Sequence, residues 1–405
     1  MLALWFTIKT KRQEIYLSQM RTSTTYKLAG TKTFRRSSCQ ILPKKRIVIE
    51  GDREKVVKKG WGQNLQNIEK SMREAYEPDG FSKELIAKCS YWLDTGDLSV
   101  FTEEELVSLR VFVQVDQSGA EALIVAYDSE PKDYRQLFIH GIKPHIYVAA
   151  KLFVEQWKVK AREYNLNISS EIIDRIVQTK IHELKSIPEW KEFSDLIAAS
   201  DNWALTERYY YLAKQTVHSA NYNIQWSTFR MNILEKSGGK IVIDKKQAEF
   251  FLQMYRGLFP EIPESNERIR RQVEETGIIY NLFGMPYKIT LYDPPDSKMK
   301  EFYAWPRQST VGEITRISFS NEQTYIEQNL KQWDLLADTH DSTLTQCPLM
   351  DVKECIRVKQ EYMNQRLVSP VGGVEFNMRS EAQVGFNWAP QKKNNLVGLR
   401  ALKWN

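Results

Sequence analysis

Cysteine and histidine are scarce in this sequence, and neither recurs at a metal-binding or disulfide spacing. The four cysteines form no Cys-x-x-Cys pair, and none of the five histidines lies four residues from another. These absences argue against a zinc ribbon or a disulfide framework and predict a reducing, cytoplasmic location. No apolar run approaches the length of a membrane helix, and the opening MLALWF is too short for a signal-peptide core. We therefore expect no membrane partner.

The composition is that of a folded and mildly basic protein. At 405 residues, with 42% hydrophobic residues and 12% aromatics, the chain is long enough for two or three subdomains. Its net charge of +6 favours a polyanionic partner without requiring one. Basic side chains crowd one early segment, where they form either a solvated face or a set of phosphate contacts. They are Lys44, Lys45, Arg46, Arg53, Lys55, Lys58 and Lys59.

The segment 109–128 is the one around which the chain is organised. Val111, Val113 and Val115 alternate with other residues at the period of a strand, and a helical run follows Gly119. The pattern therefore predicts that a strand delivers the carboxylate of Asp116 to a strand-to-helix junction. An aspartate at a strand end also serves as a turn former or helix cap, so this segment alone leaves both interpretations open.

Hydrophobic periodicity and turn residues predict further elements along the chain. They are a helix at 141–153 entered through Pro144 and His145, helices at 245–258 and 265–276 separated by FPEIPES, a hairpin at 278–292, a helix at 305–320 opened by Pro306, two short strands within 333–348 around Thr339-His340-Asp341, a helix at 351–367 and a strand at 381–388. The hairpin turn at 339–341 would hold a second carboxylate, that of Asp341.

A polar stripe is expected on a helix near residue 215. Lys214, His218 and Tyr222 recur every four residues, so a single helix would place all three on one face. Such a stripe is unusual in a core because two members are polar, and unusual on a solvated face because aromatic residues surround it.

Two early segments have the composition of a nucleic-acid contact. TKTFRRSS at 31–38 groups hydroxyl and guanidinium donors that suit phosphates and sugars, and the segment 62–76 offers several amide side chains close to Arg73. Amides carry donors and acceptors together, which suits base edges. A polar turn with a helix cap is the alternative interpretation of the second segment.

Taken together, these segments resemble the polymerase portion of family A DNA polymerases, the group that includes many phage replicases. DQSGAE (116–121) is similar to the family's first carboxylate motif, THDS (339–342) to the second, and the Lys214 stripe to the fingers helix. TKTFRRSS, QNLQNI (63–68), LFPEIPE (258–264), LFGMPYKI (282–289), PRQST (306–310) and VGFNW (384–388) resemble the other family blocks. All nine occur in the family's order.

The resemblance implies an α+β right-hand polymerase with an antiparallel palm sheet, a helical fingers subdomain and a largely absent thumb. Residues 1–30 would be a remnant of the thumb or an N-terminal extension. Residues 31–146 would form the first part of the palm with insertions at 39–60 and 77–108, residues 147–299 the fingers, and residues 300–405 the second part of the palm. With so little sequence before TKTFRRSS, we expect weak, salt-dependent DNA binding and a possible second polypeptide that supplies a thumb or exonuclease.

The resemblance also implies template-directed DNA synthesis in viral DNA replication by a two-metal mechanism. Asp116 and Asp341 would be catalytic and, with the carbonyl of Gln117, would hold two Mg²⁺ ions; their carboxylates would lie about 3.5–6 Å apart on neighbouring strands. The expected contacts to the deoxynucleoside triphosphate are Gln117, Glu121, His145, Lys214, His218 and Tyr222. The expected contacts to primer–template DNA are Arg35, Asn64, Gln66, Asn67, Arg73, Gln308 and His340.

The chain departs from the family pattern at four positions. Tyr210 stands where the fingers helix has an arginine, and Asn223 where it has a glycine. Ser342 replaces the glutamate of the second carboxylate motif, and Phe34 replaces a glycine. Loss of the arginine removes one phosphate contact, which is worth about 1.5–3 kcal/mol.

Three other functions share parts of this pattern. A single-subunit RNA polymerase would share the palm. It is not expected to keep a glutamate such as Glu121, which the resemblance implies helps to exclude a sugar with a 2′-hydroxyl. A metal-dependent nuclease would use two aspartates but would not explain the Lys214 stripe. A truncated or inactive polymerase fragment would bind primer–template without extending it, or would need a partner chain.

Overall fold

The computed structural model describes residues 81–204, 207–288 and 299–404 in full. Outside these ranges it gives only the backbone of some strands and of the start of one helix. The predicted DNA contacts Arg35, Asn64, Gln66, Asn67 and Arg73 lie outside the fully described residues. The strands given by backbone alone are β1 (Leu2–Trp5), β2 (Lys9–Thr10), β3 (Gln13–Glu14), β4 (Arg21–Thr24), β5 (Tyr26–Lys27), β6 (Ser37–Ser38), β7 (Pro43–Glu50) and β8 (Arg53–Trp61).

From residue 81 onward the chain is rich in helices. In chain order the elements are α1 (Lys83–Thr95), α2 (Glu103–Ser108), β9 (Arg110–Gln117), α3 (Ala120–Asp128), α4 (Asp133–Ile139), α5 (Pro144–Leu152), α6 (Val154–Glu163), α7 (Ser170–Gln178), α8 (Trp190–Ala199), α9 (Tyr209–Asn221), α10 (Trp226–Lys236), α11 (Lys245–Leu258), α12 (Glu261–Thr276), β10 (Ile278–Tyr280), β11 (Pro286–Lys288), α13 (Pro295–Gln328), β12 (Asp334–Thr339), β13 (Ser342–Pro348), α14 (Val352–Met363), β14 (Arg366–Val368), β15 (Glu375–Asn377) and β16 (Ser380–Gly385). Among the described residues, no helix is both long and apolar enough to cross a bilayer.

The chain divides into two compact units. Unit one comprises residues 1–120, 308–367 and 377–405, and unit two comprises residues 121–307 and 368–376. The predicted bounds of palm and fingers stay predictions, and the units are described one at a time below.

Unit one is built on an antiparallel sheet with the strand order β12-β13-β9-β16. Residues alternate between the two faces of a strand, so β9 presents Val111, Val113 and Val115 to one side, where all three are completely buried. Strand β9 also packs against α14. Phe112, on the opposite face, packs against Trp388. The central strand is therefore covered on both faces.

An ion pair lies buried beside this sheet. The Lys359 ammonium on α14 lies 3.2 Å from both carboxylate oxygens of Glu322 on α13 and donates to Thr345 Oγ1 at 2.7 Å. Glu322 also accepts a hydrogen bond from the Thr345 hydroxyl. Because each charged group is hydrogen-bonded, the pair is tolerated in a low-dielectric interior.

The segment predicted as an insertion at 77–108 includes a packed helix in its described part. Trp92 of α1 is buried, with its ring 5.6 Å from Phe386 and 5.3 Å from Trp404. Gly96 ends α1 with a φ of +75°, and a Cβ there would lie 2.6 Å from the Trp404 ring. Glycine is therefore required here both by the backbone angle and by the close approach.

Unit two consists mainly of helices around one apolar core. Its most deeply buried side chains include Trp157 of α6, Phe193 of α8, Phe229 of α10 and Tyr255 of α11, together with Phe259, which follows α11. Helix α5 begins at Pro144, as predicted, because a proline at the first helical position loses no hydrogen bond. The predicted helix at 245–258 and hairpin at 278–292 are present as α11 and as β10 with β11, whose turn contains Gly284 at φ +76°.

Two predicted helix starts are wrong. Pro306 does not open a helix but lies inside α13, which runs for 34 residues. The helix predicted at 265–276 begins at Glu261, so FPEIPES does not separate two helices as a loop; only Phe259 and Pro260 lie between α11 and α12. In both cases buried residues around the proline, such as Trp305 and Ile262, stabilise a helix that local sequence signals would end.

Two elements also end earlier in the structure than predicted. Helix α14 ends at Met363 rather than at 367, because Arg366–Val368 forms strand β14. Strand β16 ends at Gly385 rather than at 388. A Cβ on Gly385 would lie 2.6 Å from the backbone nitrogen of Leu399. The two strands predicted within 333–348 are present as β12 and β13.

Candidate active site

Asp116 lies near the end of the central strand of unit one. It is half-buried, with Ser342 of β13 opposite on one side and Glu381 of β16 opposite on the other. Residues directly opposite in an antiparallel pair share a face of the sheet, so the three side chains form one row across it. The carboxylate of Asp116 is thus presented by a strand that is fixed on both sides.

Asp341 lies in the turn between β12 and β13. Its backbone N–H donates to the carbonyl of Thr339 at 2.7 Å, and His340 takes a φ of +61°. Histidine reaches this left-handed region more readily than most residues. The predicted turn is therefore present, and it is tight.

One hydrogen bond ties this turn to the strand that carries Asp116. The backbone N–H of Gln117 donates to the carbonyl of Asp341 at 2.9 Å. Since Gln117 follows Asp116 directly, the two aspartates belong to backbone segments that are hydrogen-bonded neighbours, although they are 225 positions apart in the sequence.

A buried threonine on α13 fixes the same turn from the helix side. The Gln117 side-chain amide donates to Thr315 Oγ1 at 2.8 Å, and the Thr315 hydroxyl lies 3.0 Å from the carbonyl of His340. Gln117 and Thr315 are both buried. The motif resemblance implied roles for Gln117, but no sequence pattern indicated Thr315. A threonine on the buried side of a predicted helix is too common a feature to single it out.

Loss of the Thr315 hydroxyl is expected to destabilise this turn. Thr315→Val keeps the side-chain shape but leaves the buried Gln117 amide without its shortest hydrogen bond. We expect the free energy of unfolding to fall by about 1–3 kcal/mol. The control is Thr324→Val on the same helix, an exposed position where the hydroxyl donates to the carbonyl of Ser320 at 3.0 Å. Urea unfolding measures the free energy of unfolding of both variants. Equal values would show that the Thr315 hydroxyl does not hold the turn.

The pair of aspartates suits a hard cation. Mg²⁺ takes oxygen ligands and is typically held by one or two carboxylates plus substrate phosphates rather than by a closed protein cage. Asp116, Asp341 and the backbone of Gln117 supply oxygen donors of this kind. Within residues that the structure describes, no group of three or more His, Cys, Asp or Glu side chains is arranged to hold a metal.

In unit two, the structure brings together Glu121, His218 and Tyr222. Tyr222 Oη donates to Glu121 Oε2 at 2.6 Å, and His218 Nδ1 lies 4.0 Å from the same oxygen. The His218 and Tyr222 rings meet edge to face at 5.4 Å. The predicted stripe is only partly right: Lys214 and His218 are exposed on α9, but Tyr222 follows the end of the helix and is buried.

A buried polar network holds the end of α9 just before Tyr222. The Arg307 side chain, completely buried, donates to the carbonyl of Asn221 at 2.8 Å and to Asp128 Oδ2 at 3.1 Å. The Asn221 side chain donates to Tyr134 Oη at 3.2 Å and accepts from the hydroxyl of Tyr255. These contacts join residues far apart in sequence, and no local pattern indicated them.

The predicted phosphate contact His145 pairs with Tyr210, the residue for which the motif resemblance implies an arginine. Tyr210 Oη lies 2.7 Å from His145 Nε2, and the rings meet edge to face at 4.7 Å. Burial lowers the pKa of His145 to about 4, with smaller contributions from the charges of Lys214 and Lys143. The ring is therefore neutral at neutral pH.

The remaining described site residues are in unit one. His340 lies in the turn beside Asp341, and Gln308 lies half-buried on α13, seven residues before Thr315. Seven residues are two helical turns, so Gln308 and Thr315 share a helix face at a separation of about 10 Å. Gln308 is in the middle of α13, because the helix does not begin at Pro306.

Comparison with known proteins identifies the fold. No protein-family model matches the chain, and no curated protein does. Among solved structures, the chain is similar to the POL domain of Pol1 from M. smegmatis, which was determined in complex with DNA primer-template and dNTP. The TM-score is 0.55 at 15% sequence identity, and the match covers 92% of this chain and 49% of that one. The chain thus has a helix-rich fold with an antiparallel sheet, similar to a polymerase domain, and spans about half the length of that chain.

Proposed function

We propose that this chain is a DNA-directed DNA polymerase of the family A type, which adds deoxynucleoside triphosphates to a primer 3′-hydroxyl. The observation that carries the proposal is the hydrogen bond between Gln117 and Asp341, which joins the segments of two aspartates in a fold similar to a polymerase domain. The motif resemblance to phage enzymes favours a role in viral DNA replication.

In this proposal Asp116 and Asp341 are the catalytic carboxylates of unit one. Two Mg²⁺ ions, held by these carboxylates and the Gln117 carbonyl, would lower the pKa of the primer hydroxyl and offset negative charge on the leaving pyrophosphate. The chain's own task is to keep both carboxylates in place, which the Gln117–Thr315 contact supports by holding the turn.

Unit two would bind the nucleotide. Lys214 is an exposed cation on α9 and would contact the triphosphate, with His145 as a second contact. His218 would contact the base or sugar. The hydrogen-bonded pair of Glu121 and Tyr222 would exclude a 2′-hydroxyl, because a buried tyrosine fixed by a carboxylate cannot easily move aside.

Primer and template would be bound mainly by polar side chains. The proposed contacts are Arg35, Asn64, Gln66, Asn67, Arg73, Gln308 and His340. We assign palm roles to residues 31–146 and 300–405 and a fingers role to residues 147–299, as the motif order implies. A polypeptide that supplies a thumb or exonuclease is a proposed partner.

The Glu121–Tyr222 pair yields a prediction on sugar choice. Glu121→Ala removes the carboxylate that fixes the tyrosine, so a ribonucleotide should be admitted more readily. We expect the ratio of kcat/KM for deoxyribonucleotides over ribonucleotides to fall by about tenfold to a hundredfold, the scale of 1–3 kcal/mol for a steric contact. Single-nucleotide incorporation with each sugar measures this ratio.

The control for this prediction is Glu249→Ala on α11, which removes a half-buried glutamate whose ion-pair partner among the described residues is Lys245, at 3.7 Å. It should leave the ratio unchanged. An equal loss of activity with both sugars in Glu121→Ala would show that Glu121 serves structure alone.

The alternative function is binding of primer–template DNA without extension, by a chain that acts with a partner. The matched structure contains primer-template DNA and dNTP, and this chain spans about half of that chain's length. Primer extension by the purified chain with Mg²⁺ separates the two, since the alternative gives DNA binding without extension. Degradation of the primer would indicate a nuclease, and a preference for ribonucleotides an RNA polymerase.

A further inference from the structure

Three cations of unit two, Lys214, Lys236 and Lys143, lie close to α9 or to His145. Lys214 is exposed on the helix, and its charge adds to the effect of burial in lowering the pKa of His145. Burial also lowers the pKa of Lys236 on α10; the charge of Glu121 opposes this shift and that of Lys214 adds to it. Lys143, next to α5, also acts on His145. Like charges held together in this way repel one another, so the arrangement favours an anionic ligand.

The Tyr210–His145 pair adds a neutral hydrogen-bonding group to this cationic region. Burial raises the pKa of Tyr210, with a smaller effect from Asp201, so its hydroxyl keeps its proton at neutral pH. The pair therefore shares two protons, one on the tyrosine oxygen and one on the imidazole. One of them lies in the hydrogen bond between Oη and Nε2.

Either direction of that hydrogen bond leaves one donor available. If Tyr210 donates to Nε2, the imidazole proton is on Nδ1; if Nε2–H donates to Tyr210, the phenolic O–H points elsewhere. The backbone of Tyr210 is fixed by a 3.0 Å hydrogen bond to the hydroxyl of Ser200. The tyrosine can therefore hold the histidine ring in one orientation.

We propose that Tyr210 is a positioning residue that fixes the ring orientation and tautomer of His145, so that the pair offers one hydrogen-bond donor to the triphosphate beside Lys214. The proposal rests on the nucleotide-binding role assigned above to His145 and Lys214. It explains how a chain with tyrosine in the place of the family's arginine retains a second phosphate contact. A neutral donor replaces a cation, at a position already crowded with positive charge.

The test compares Tyr210→Phe with Tyr211→Phe in the full chain. The first variant keeps the ring and removes the hydroxyl that bonds to His145. The second is the matched control, because the buried Tyr211 hydroxyl makes no hydrogen bond within the part of the chain that the structure describes. Thermal unfolding of both variants establishes that each is folded before binding is compared.

Two measurements are made on each variant. The first is the imidazole ¹⁵N spectrum of His145, assigned with His145→Gln, during titration with inorganic tripolyphosphate. The second is KM and kcat for one deoxynucleotide in primer extension. We expect Tyr210→Phe to change the tautomer signature of His145 and to weaken tripolyphosphate binding. The nucleotide KM should rise by about three- to tenfold, the change in binding that corresponds to the loss of one hydrogen bond. We expect a smaller change in kcat and no change in Tyr211→Phe.

The two readouts separate failure of this inference from failure of the proposed function. A Tyr210→Phe variant with the wild-type His145 spectrum and wild-type tripolyphosphate affinity would overturn the inference, even if the chain extends primers. A wild-type chain that binds tripolyphosphate through His145 but extends no primer would support the pair as an anion contact and refute the polymerase activity.

Discussion

Asp341→Asn is expected to reduce nucleotide addition by about a thousandfold or more. The substitution removes the charge that would hold Mg²⁺, whose stabilisation of the transition state is worth several kcal/mol, and about 1.4 kcal/mol corresponds to a tenfold change in rate. The turn should survive, because its hydrogen bonds to Gln117 and Thr339 use backbone atoms of residue 341. Single-turnover primer extension measures the rate, and the melting temperature checks the fold.

The matched control for this variant is Asp334→Asn. Asp334 lies at the start of β12, the strand that leads into the turn, and forms a partly exposed ion pair with Arg110 at 2.9 Å, which contributes little to stability. Its loss should change the rate less than twofold, because Asp334 lies at the end of β12 away from the turn that holds Asp341. If both aspartate variants kept the wild-type rate, Asp341 would not be catalytic.

Lys214→Ala should give the second large effect on activity. Lys214 is exposed on α9, so its removal leaves the core of unit two intact. A charged contact to phosphate is worth about 1.5–3 kcal/mol, which predicts a fall in kcat/KM of roughly tenfold to a hundredfold. The nucleotide KM should rise and kcat should fall together, because negative charge on the triphosphate shifts toward the leaving group in the transition state.

Lys191→Ala serves as the control for Lys214→Ala. Lys191 is a highly exposed lysine of unit two whose ion-pair partner, within the part of the chain that the structure describes, is Asp195 on its own helix. Steady-state kinetics with one templated nucleotide should show no change for this variant. If Lys214→Ala were equally silent, another cation, such as Arg208 near the start of α9, would bind the triphosphate.

Sequence alone predicted those parts of the site that depend on local patterns. Alternating valines place Asp116 at a strand end, and short alternating segments place Asp341 in a turn; both elements are present as β9 and as the β12–β13 turn. Proline at a first helical position likewise marked the start of α5 correctly. In each case the deciding signal lies within about ten residues, the range over which periodicity is informative.

The errors arise where packing outweighs local preference. Pro306 removes one backbone hydrogen bond from α13, yet Phe302 and Trp305 beside it are almost completely buried, and their burial holds the helix together through the proline. Tyr222 departs from the predicted stripe because Asn221 is tied to Arg307 and Tyr134, which draws the chain inward at the end of α9.

Most contacts between distant residues could not be predicted; only the motif resemblance implied that Asp116 and Asp341 lie close together. The Tyr210–His145 hydrogen bond joins residues 65 positions apart, and the Gln117–Thr315 bond joins residues 198 apart. A single sequence gives no signal for such pairs, because each partner is ordinary in its own segment. The roles of the site residues therefore stay predictions that the variants above test.

Primer extension by the purified chain tests the central claim most directly. The assay uses a labelled primer–template duplex, Mg²⁺ and deoxynucleoside triphosphates, with wild type, Asp116→Asn and Asp341→Asn compared at equal concentration. We predict that wild type adds the templated nucleotide and that both variants add it about a thousandfold more slowly or not at all. Absence of extension by wild type, or wild-type rates in either aspartate variant, would contradict the assignment.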